Sequence, residues 1–381
     1  MLSSTFPRWP HDTIPSFIFD LAQAVSTENQ VTILAPHSPQ SKTSEHWHGV
    51  EVIRFRYFFS GVETLTGEGG IMMRIRANPF RILLIPFFLL SLWVHTLWLL
   101  HKRSYDIIHA HWLFPQGFIV YLISWGRTIP YLVTSHGSDI SQLRSRIFRW
   151  MHGQTMNRAQ RITAVSTDLA QSMKSVTRRD IDIIPMGIKE VFFQSPSDAG
   201  PLLDSGKTWL VCVGRLDRKK GFQDVIQTLP YLSEEIHLVI VGAGSDKQYL
   251  ETLAYQYQVE HRIRWYGSAP SEDIAQIFHQ SQLCIHPSYT EGWGLVVLEA
   301  MATGLPVIGN DLPILRQHLS GRGKVIDTSN HELLADRINQ ILKNDHDYRT
   351  YQQQGRTYAQ QFRWSVIGQE FTHIYEAMVE K

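Results

Sequence analysis

Residues 288–309 read SYTEGWGLVVLEAMATGLPVIG and place two carboxylates, Glu291 and Glu299, either side of Gly292 and Gly294. A helical run starts directly afterwards, at Leu295. Glycines at a strand-to-helix junction let backbone N–H groups approach an anion, and a helix N-terminus favours negative charge. A carboxylate in the loop can accept hydrogen bonds from ligand hydroxyls. A second one, about one and a half turns into the helix, can reach a diol. Glu is ordinarily a solvated surface residue, but Glu299 stands among Val296, Val297, Leu298, Ala300 and Met301, which argues against a purely solvated role. A second run, GRLDRKKGF at 214–222, gathers Arg215, Arg218, Lys219 and Lys220 in a glycine-bounded turn. Cations there suit a diphosphate. Four solvated charges on a loop are the alternative.

These residues need elements to hold them. Short apolar runs alternate with longer amphipathic stretches, the pattern of parallel α/β layers. In the first half, strands are expected at 31–34, 51–55, 107–111, 131–134, 162–165 and 181–184, with a helix at 16–27. Residues 56–80, with Gly67, Gly69 and Gly70, read as a mobile loop. Residues 194–206, QSPSDAGPLLDSG, have a linker composition. The alternation then restarts, with strands at 209–213, 236–241, 262–266, 283–286 and 306–308, each followed by glycine or proline. Turns at the carboxyl ends of such strands are where open α/β sheets bind ligands. Residues 331–343 and 346–380 read as helices.

Length and charge bound the function. A chain of 381 residues suggests two domains. A net charge of +1 argues against a general nucleic-acid binder. The charge is uneven: residues 1–195 carry 19 Lys/Arg against 13 Asp/Glu, so the acidic excess lies in the second half. A basic first half invites an anionic partner. Cys212 and Cys284 fall in strand-like runs and read as buried thiols. The start, MLSSTFPRWP, has no signal-peptide pattern.

Taken in order, GRLDRKKG with Arg215 and Lys220, then EGWGLVVLEAMATGLPVI with Glu291 and Glu299, resemble glycosyltransferase family 4, the retaining "glycosyl transferases group 1" with the GT-B fold. FPRWPHDTIPSF, DIIHAHWLFPQG, TSHGSD, AVS and IPMGI stand where that family has corresponding first-half segments. The resemblance implies an α/β fold of two doubly wound Rossmann-like domains facing across a cleft. Residues 1–194 would form the acceptor side, 207–362 the nucleotide-sugar side, and a C-terminal helix, 365–381, would pack back on the first domain. It implies an enzyme of the hexosyltransferase type, moving a sugar from a nucleoside diphosphate sugar to a glycan or lipid-linked acceptor in cell-surface polysaccharide or glycolipid synthesis.

The same resemblance implies roles. Arg215 and Lys220 would clamp the pyrophosphate beside Gly214. Glu291 would bind donor-sugar hydroxyls and Glu299 the ribose. The N–H groups of Gly294 and Leu295 would meet phosphate, and Tyr266 and Gly267 would line the nucleobase pocket. His136 would border the reaction centre. No metal and no resident cofactor are expected, the nucleotide sugar being a substrate. The sequence departs from the family at 10–13, Pro-His-Asp-Thr, where glycine is usual. Asp12 and Thr13 could instead face the acceptor, with His111. His109 and His111 alternate along one strand and are expected to line the cleft; a metal pair is the lesser reading, since a third ligand is lacking. Asp180-Ile181-Asp182 reads as surface charge.

Residues 82–100 hold 15 Ile, Leu, Val, Phe or Trp among 19 positions. A half-buried core helix, a helix in the membrane interface and a true span are the readings in that order. The basic, aromatic stretch 143–161, with Arg144, Arg146, Arg149, Arg158 and Arg161, suits an anionic membrane surface or a solvated face. The expected location is cytoplasmic, at the inner face of the membrane through 82–103 and 143–161. A sugar-nucleotide epimerase of the same fold, or a nucleotide-sugar binder without turnover, are the competing functions.

Overall fold

The computed structural model describes residues 1–380 other than 10, 11, 13, 15, 68, 69, 138, 140–144 and 196–199. Thr13, Leu143 and Arg144 lie outside the described residues. The chain forms two compact units: Met1–Gly187 with Trp364–Lys381, and Ile188–Arg363.

The first unit holds strands β1 (Thr32–Pro36), β2 (Ser44–Trp47), β3 (Val50–Phe55), β4 (Ile108–His111), β5 (Tyr131–Ser135), β6 (Arg161–Ala164) and β7 (Asp182–Ile183). They form the rows β1-β3-β2 and β4-β5-β6-β7, parallel except for β2 on β3. Leu2 bridges both rows, pairing with Leu34 and Ala110. Its helices are α1 (Phe17–Val25), α2 (Gly70–Ala77), α3 (Ile85–Lys102), α4 (Phe118–Ile123), α5 (Arg146–Arg158) and α6 (Thr167–Met173). The last helix of the chain, Trp364–Val379, packs on α1 and buries Ile367, Phe371 and Tyr375 with Leu21 and Val25.

The second unit holds β8 (Thr208–Val213), β9 (Ile236–Val241), β10 (Ile263–Gly267), β11 (Leu283–His286), β12 (Val307–Asn310) and β13 (Lys324–Ile326). All neighbours are parallel, in the order β10-β9-β8-β11-β12-β13. Strands buried on both faces must be apolar throughout, and VCV, LVIV and LCI supply that: Leu210, Cys212, Leu238, Ile240 and Leu283 are all in the core. The helices α7 (Phe222–Thr228), α8 (Lys247–Gln256), α9 (Ser271–Gln280), α10 (Leu295–Thr303), α11 (Pro313–Leu319), α12 (His331–Lys343) and α13 (Asp345–Ala359) join them. From β8 the winding runs outward through β9 and β10, and from β11 through β12 and β13. The direction reverses between β8 and β11, and a crevice opens outside the carboxyl ends at such a point.

The main strands lie within two residues of the sequence-based expectations. Three elements differ. Residues 56–80 are not one loop: α2 begins at Gly70 and a 3-10 turn spans Pro79–Leu84. Glycine content signalled a loop, but Ile71 and Ile75 pack on the core of the first unit. Strands β2 and β13 were not anticipated; SEHW and KVI are too short and polar to show a period of two. The helical tail runs as α13 and a final helix, here α14, with a 3-10 turn at Gln360–Phe362 between them.

Candidate active site

Three turns at the carboxyl ends of the second sheet carry the sequence motifs. The first follows β8. Asp217 organises it: its carboxylate accepts from the Lys219 N–H at 3.1 Å and from Arg215 Nε at 2.7 Å, and its carbonyl accepts from the Lys220 N–H at 2.9 Å. Gly221 then turns the chain at φ +70°, and a Cβ there would stand 2.1 Å from the carbonyl oxygen of Pro287. Only glycine lets this turn lie so close to the segment leaving β11. Tyr289 N–H donates to the Lys219 carbonyl at 2.8 Å, and Tyr289 Oη donates to Asp224 on α7. The two loops are thus tied along their backbones.

This contact brings Lys220 to Glu291. Lys220 Nζ donates to Glu291 Oε2 at 2.8 Å, and His286 Nε2 lies 3.0 Å from the same oxygen. The Lys220 stem runs past Gly214, where a Cβ would touch its Cδ at 3.8 Å. Burial pushes the Glu291 carboxyl upward. The His286 hydrogen bond and the Lys220 charge outweigh burial and hold it at about 2. Glu291 is therefore an ionised acceptor at any working pH.

Gly294 caps α10 in the left-handed conformation, φ +75°, and a Cβ there would lie 3.7 Å from Glu291 Cγ. As the first N–H groups of a helix, those of Gly294 and Leu295 have no intrahelical acceptor. The loop is held from behind: His318 Nε2 donates to the Trp293 carbonyl at 2.8 Å, and Trp293 packs edge-on against His318 and Phe362. Glu299 lies half-buried on α10, and its charge, after burial, helps push the Cys284 thiol up to about 12. Cys284 is inert at neutral pH.

Tyr266 and Gly267 end the edge strand β10. Tyr266 Oη donates to Asp273 Oδ2 at 2.9 Å, and the Gly267 carbonyl accepts from the Gly242 N–H at 2.7 Å. With strands about 4.8 Å apart, β10 stands roughly 10 Å from β8, and β11 about 5 Å on its other side. Tyr266, the basic turn and Glu291 thus form a row along one sheet edge.

Not every expected residue joins this group. Arg215 is exposed, and its guanidinium engages Asp217 rather than Glu291. Arg218 stacks on Tyr249, 3.6 Å from the ring centre. His111, His136 and Asp12 belong to the first unit. There His111 Nδ1 lies 3.0 Å from His136 Nε2, at the ends of β4 and β5. Burial lowers both, His136 to about 3, so the pair is neutral and shares one N–H. The other ring nitrogens, His111 Nε2 and His136 Nδ1, are buried without a partner. His109 does not line an open surface: its two nitrogens meet Tyr375 Oη at 2.7 Å and Thr134 Oγ1 at 2.6 Å inside the core. Asp12 has a buried carboxylate that Arg8 grips through Nε and Nη2 at 2.8 and 2.6 Å. Asp180 and Asp182 face Lys174 and Arg161 at 3.8 Å, and no set of three His, Cys, Asp or Glu able to hold a metal occurs among the described residues. His286 and Asp217 escaped the sequence reading. The signal for His286 was available: a lone polar residue closing an apolar strand at the ligand end of the sheet.

Two family models match the chain in succession: Glycosyltransferase Family 4 over residues 15–190, and Glycosyl transferases group 1 over residues 195–358. The chain belongs to the group 1 / family 4 glycosyltransferases. Among relatives of this glycosyltransferase is the phosphatidyl-myo-inositol mannosyltransferase of Mycobacterium leprae, 27% identical over 386 residues, covering 96% of this chain and 93% of the relative. Among solved structures, the sucrose-phosphate synthase of Thermosynechococcus elongatus superposes with a TM-score of 0.76 at 20% identity, covering 95% and 92% of the two chains. Anabaena HepE in complex with UDP and glucose superposes with a TM-score of 0.73 at 18% identity, covering 99% and 98%. The fold is GT-B, and the enzyme is a glycosyltransferase of the hexosyltransferase type.

Proposed function

We propose that this glycosyltransferase moves a hexose-type unit from a nucleoside diphosphate sugar to a glycan or lipid-linked acceptor, with retention of anomeric configuration. The observation that carries the reading is the Lys220–Glu291 pair, at 2.8 Å, beside the reversal between β8 and β11. Breaking a sugar–phosphate bond leaves negative charge on the diphosphate and positive character on the anomeric carbon. Lys220 has three donors and spends one on Glu291, which leaves two for phosphate oxygens. Arg215, oriented by Asp217, adds a second cation, and the Gly294 and Leu295 N–H groups add dipoles. Such preorganised charge lowers the barrier to departure without calling for a metal ion or resident cofactor. Ionised Glu291 would accept from donor-sugar hydroxyls, Glu299 from the ribose, and Tyr266 with Gly267 would bound the base.

In a front-face path the departing phosphate takes the acceptor proton, so no strong protein base is needed. Neutral His136, held by His111, would polarise or orient the donor sugar, and Asp12 would shape the acceptor side through Arg8. Two similar proteins support the substrate classes: one is a phosphatidyl-myo-inositol mannosyltransferase and another is solved with UDP and glucose. The expected setting is glycolipid or cell-surface polysaccharide synthesis, cytoplasmic, at the inner face of the membrane.

The test is a panel of nucleoside diphosphate sugars screened by thermal shift, since a ligand of the folded state raises its melting temperature by mass action. NMR of the product formed from the best binder and an acceptor mixture should show the donor's anomeric configuration kept. An inverted product refutes retention. Donor epimerised without acceptor, or bound and never consumed, refutes transfer.

A further inference from the structure

The membrane-proximal reading has a specific surface. The segment Pro79–Lys102 is long and apolar enough to cross a bilayer, but only 28% of its apolar 18-residue stretch is buried. Its buried stripe is Phe88, Leu92, Thr96 and Leu99. Phe88 packs on Phe55 and Tyr57 with ring centres 5.2 and 5.3 Å apart, and Ser91 Oγ donates to the Arg56 carbonyl at 2.5 Å. One side of α3 is therefore a structural wall of the first unit. A span would have to strip it from that core.

The opposite side faces outward. Phe80, Leu83, Phe87, Leu90, Val94 and Trp98 recur at three- and four-residue steps, with Phe80 80% and Leu83 66% exposed. Helix α4 packs on both α3 and α5, and two further tryptophans of these neighbours are exposed, Trp125 just past α4 and Trp150 on α5. Residues 70–105 contain five Lys or Arg and no Asp or Glu. Of these, Arg76 and Lys102 stand exposed at the ends of α2 and α3.

We propose that the outward face of α2, the 79–84 turn and α3 lies in the plane of an anionic bilayer, its apolar row among the upper acyl chains and its cations on lipid phosphates. A helix with one apolar face, tryptophans and one sign of charge fits that interface. A second copy is a poor occupant: a two-fold contact brings the exposed cations Arg76 and Lys102 toward the same like-charged face, which offers no carboxylate between residues 70 and 105. The proposal deepens the membrane-proximal reading of the function. Its test reads lipid binding and not transfer, so either can fail alone.

The full chain is floated with vesicles of phosphatidylglycerol and phosphatidylcholine in equal parts, and with phosphatidylcholine alone. Binding to the anionic vesicles that weakens as salt rises is the expected result. The double variant Leu83→Glu/Leu90→Glu should lose it, and Arg76→Ser/Lys102→Ser should bind about 25-fold more weakly, at roughly fivefold per basic residue. Both pairs are surface positions, so melting temperature and nucleoside diphosphate binding should match the parent. Parent protein that ignores anionic vesicles, or variants that bind as the parent does, overturn the proposal. So does a parent dimer by light scattering that Leu83→Glu/Leu90→Glu makes monomeric without vesicles. Protein extracted from membranes only by detergent, never by salt or alkali, indicates a span and also overturns it.

Discussion

The Lys220–Glu291 pair can be weighed by a double-mutant cycle with Lys220→Met and Glu291→Gln. The two side chains are 22% and 15% exposed, with 2.8 Å between Nζ and Oε2. At an effective dielectric of about 20, unit charges at that distance attract by about 6 kcal/mol. Desolvating both groups returns most of this, and a hydrogen bond to a charged group nets about 2 kcal/mol. Each single variant should lose about that much, because each leaves a half-buried partner uncompensated. The double variant should lose about 2 kcal/mol less than the sum. Melting temperatures of the single variants should fall by about 4–8 °C for a unit of this size. Urea unfolding of the four proteins, followed by circular dichroism, measures the coupling. Additivity within about 0.5 kcal/mol, the behaviour of distant sites, would refute the claim that the pair is a preorganised unit.

His286→Leu, which takes away the donor, should release the Glu291 carboxyl from its value of about 2 toward the ordinary range of about 4.5. An acid limb should then appear in kcat near pH 4–5, where the parent, with Glu291 ionised, shows none from this group; a pH–rate profile of the two proteins checks this. Burial lowers His136 to about 3 and His318 to about 4, so both stay neutral in the folded chain while the unfolded chain takes up protons below about pH 6.5. The stability they support is full above pH 6.5 and is lost as pH falls, by about 1–2 kcal/mol per histidine at pH 5. Melting scans from pH 7.5 to 5 should show the drop, and alanine at His318 should make it shallower by that histidine's share.

The glycine or proline after each second-half strand was legible because a parallel sheet needs a tight turn at the ligand end, and the basic turn was legible because cations rarely cluster between glycines. The strand order was not written in any local feature, since it depends on which strands pair at long range. His286 showed only as a lone polar residue closing an apolar strand, with no spacing to tie it to Glu291, and Asp217 was hidden because it works through the backbone N–H groups and the Arg215 side chain of its own turn. In the first half, Gly67 and Gly70 outweighed the apolar spacing of Ile71 and Ile75, and a helix was missed. The double nature of α3 was half visible: its apolar content was plain, but only packing on Phe55 and Tyr57 shows which side is core.

The central claim is that one cluster, Lys220 with Glu291, activates a nucleoside diphosphate sugar. The most direct measurement is donor turnover by well-folded Lys220→Ala, at saturating donor and acceptor. Loss of a preorganised cation should cut kcat by about 100- to 1,000-fold while the circular dichroism spectrum stays that of the parent. Turnover within a factor of two of the parent would contradict the account.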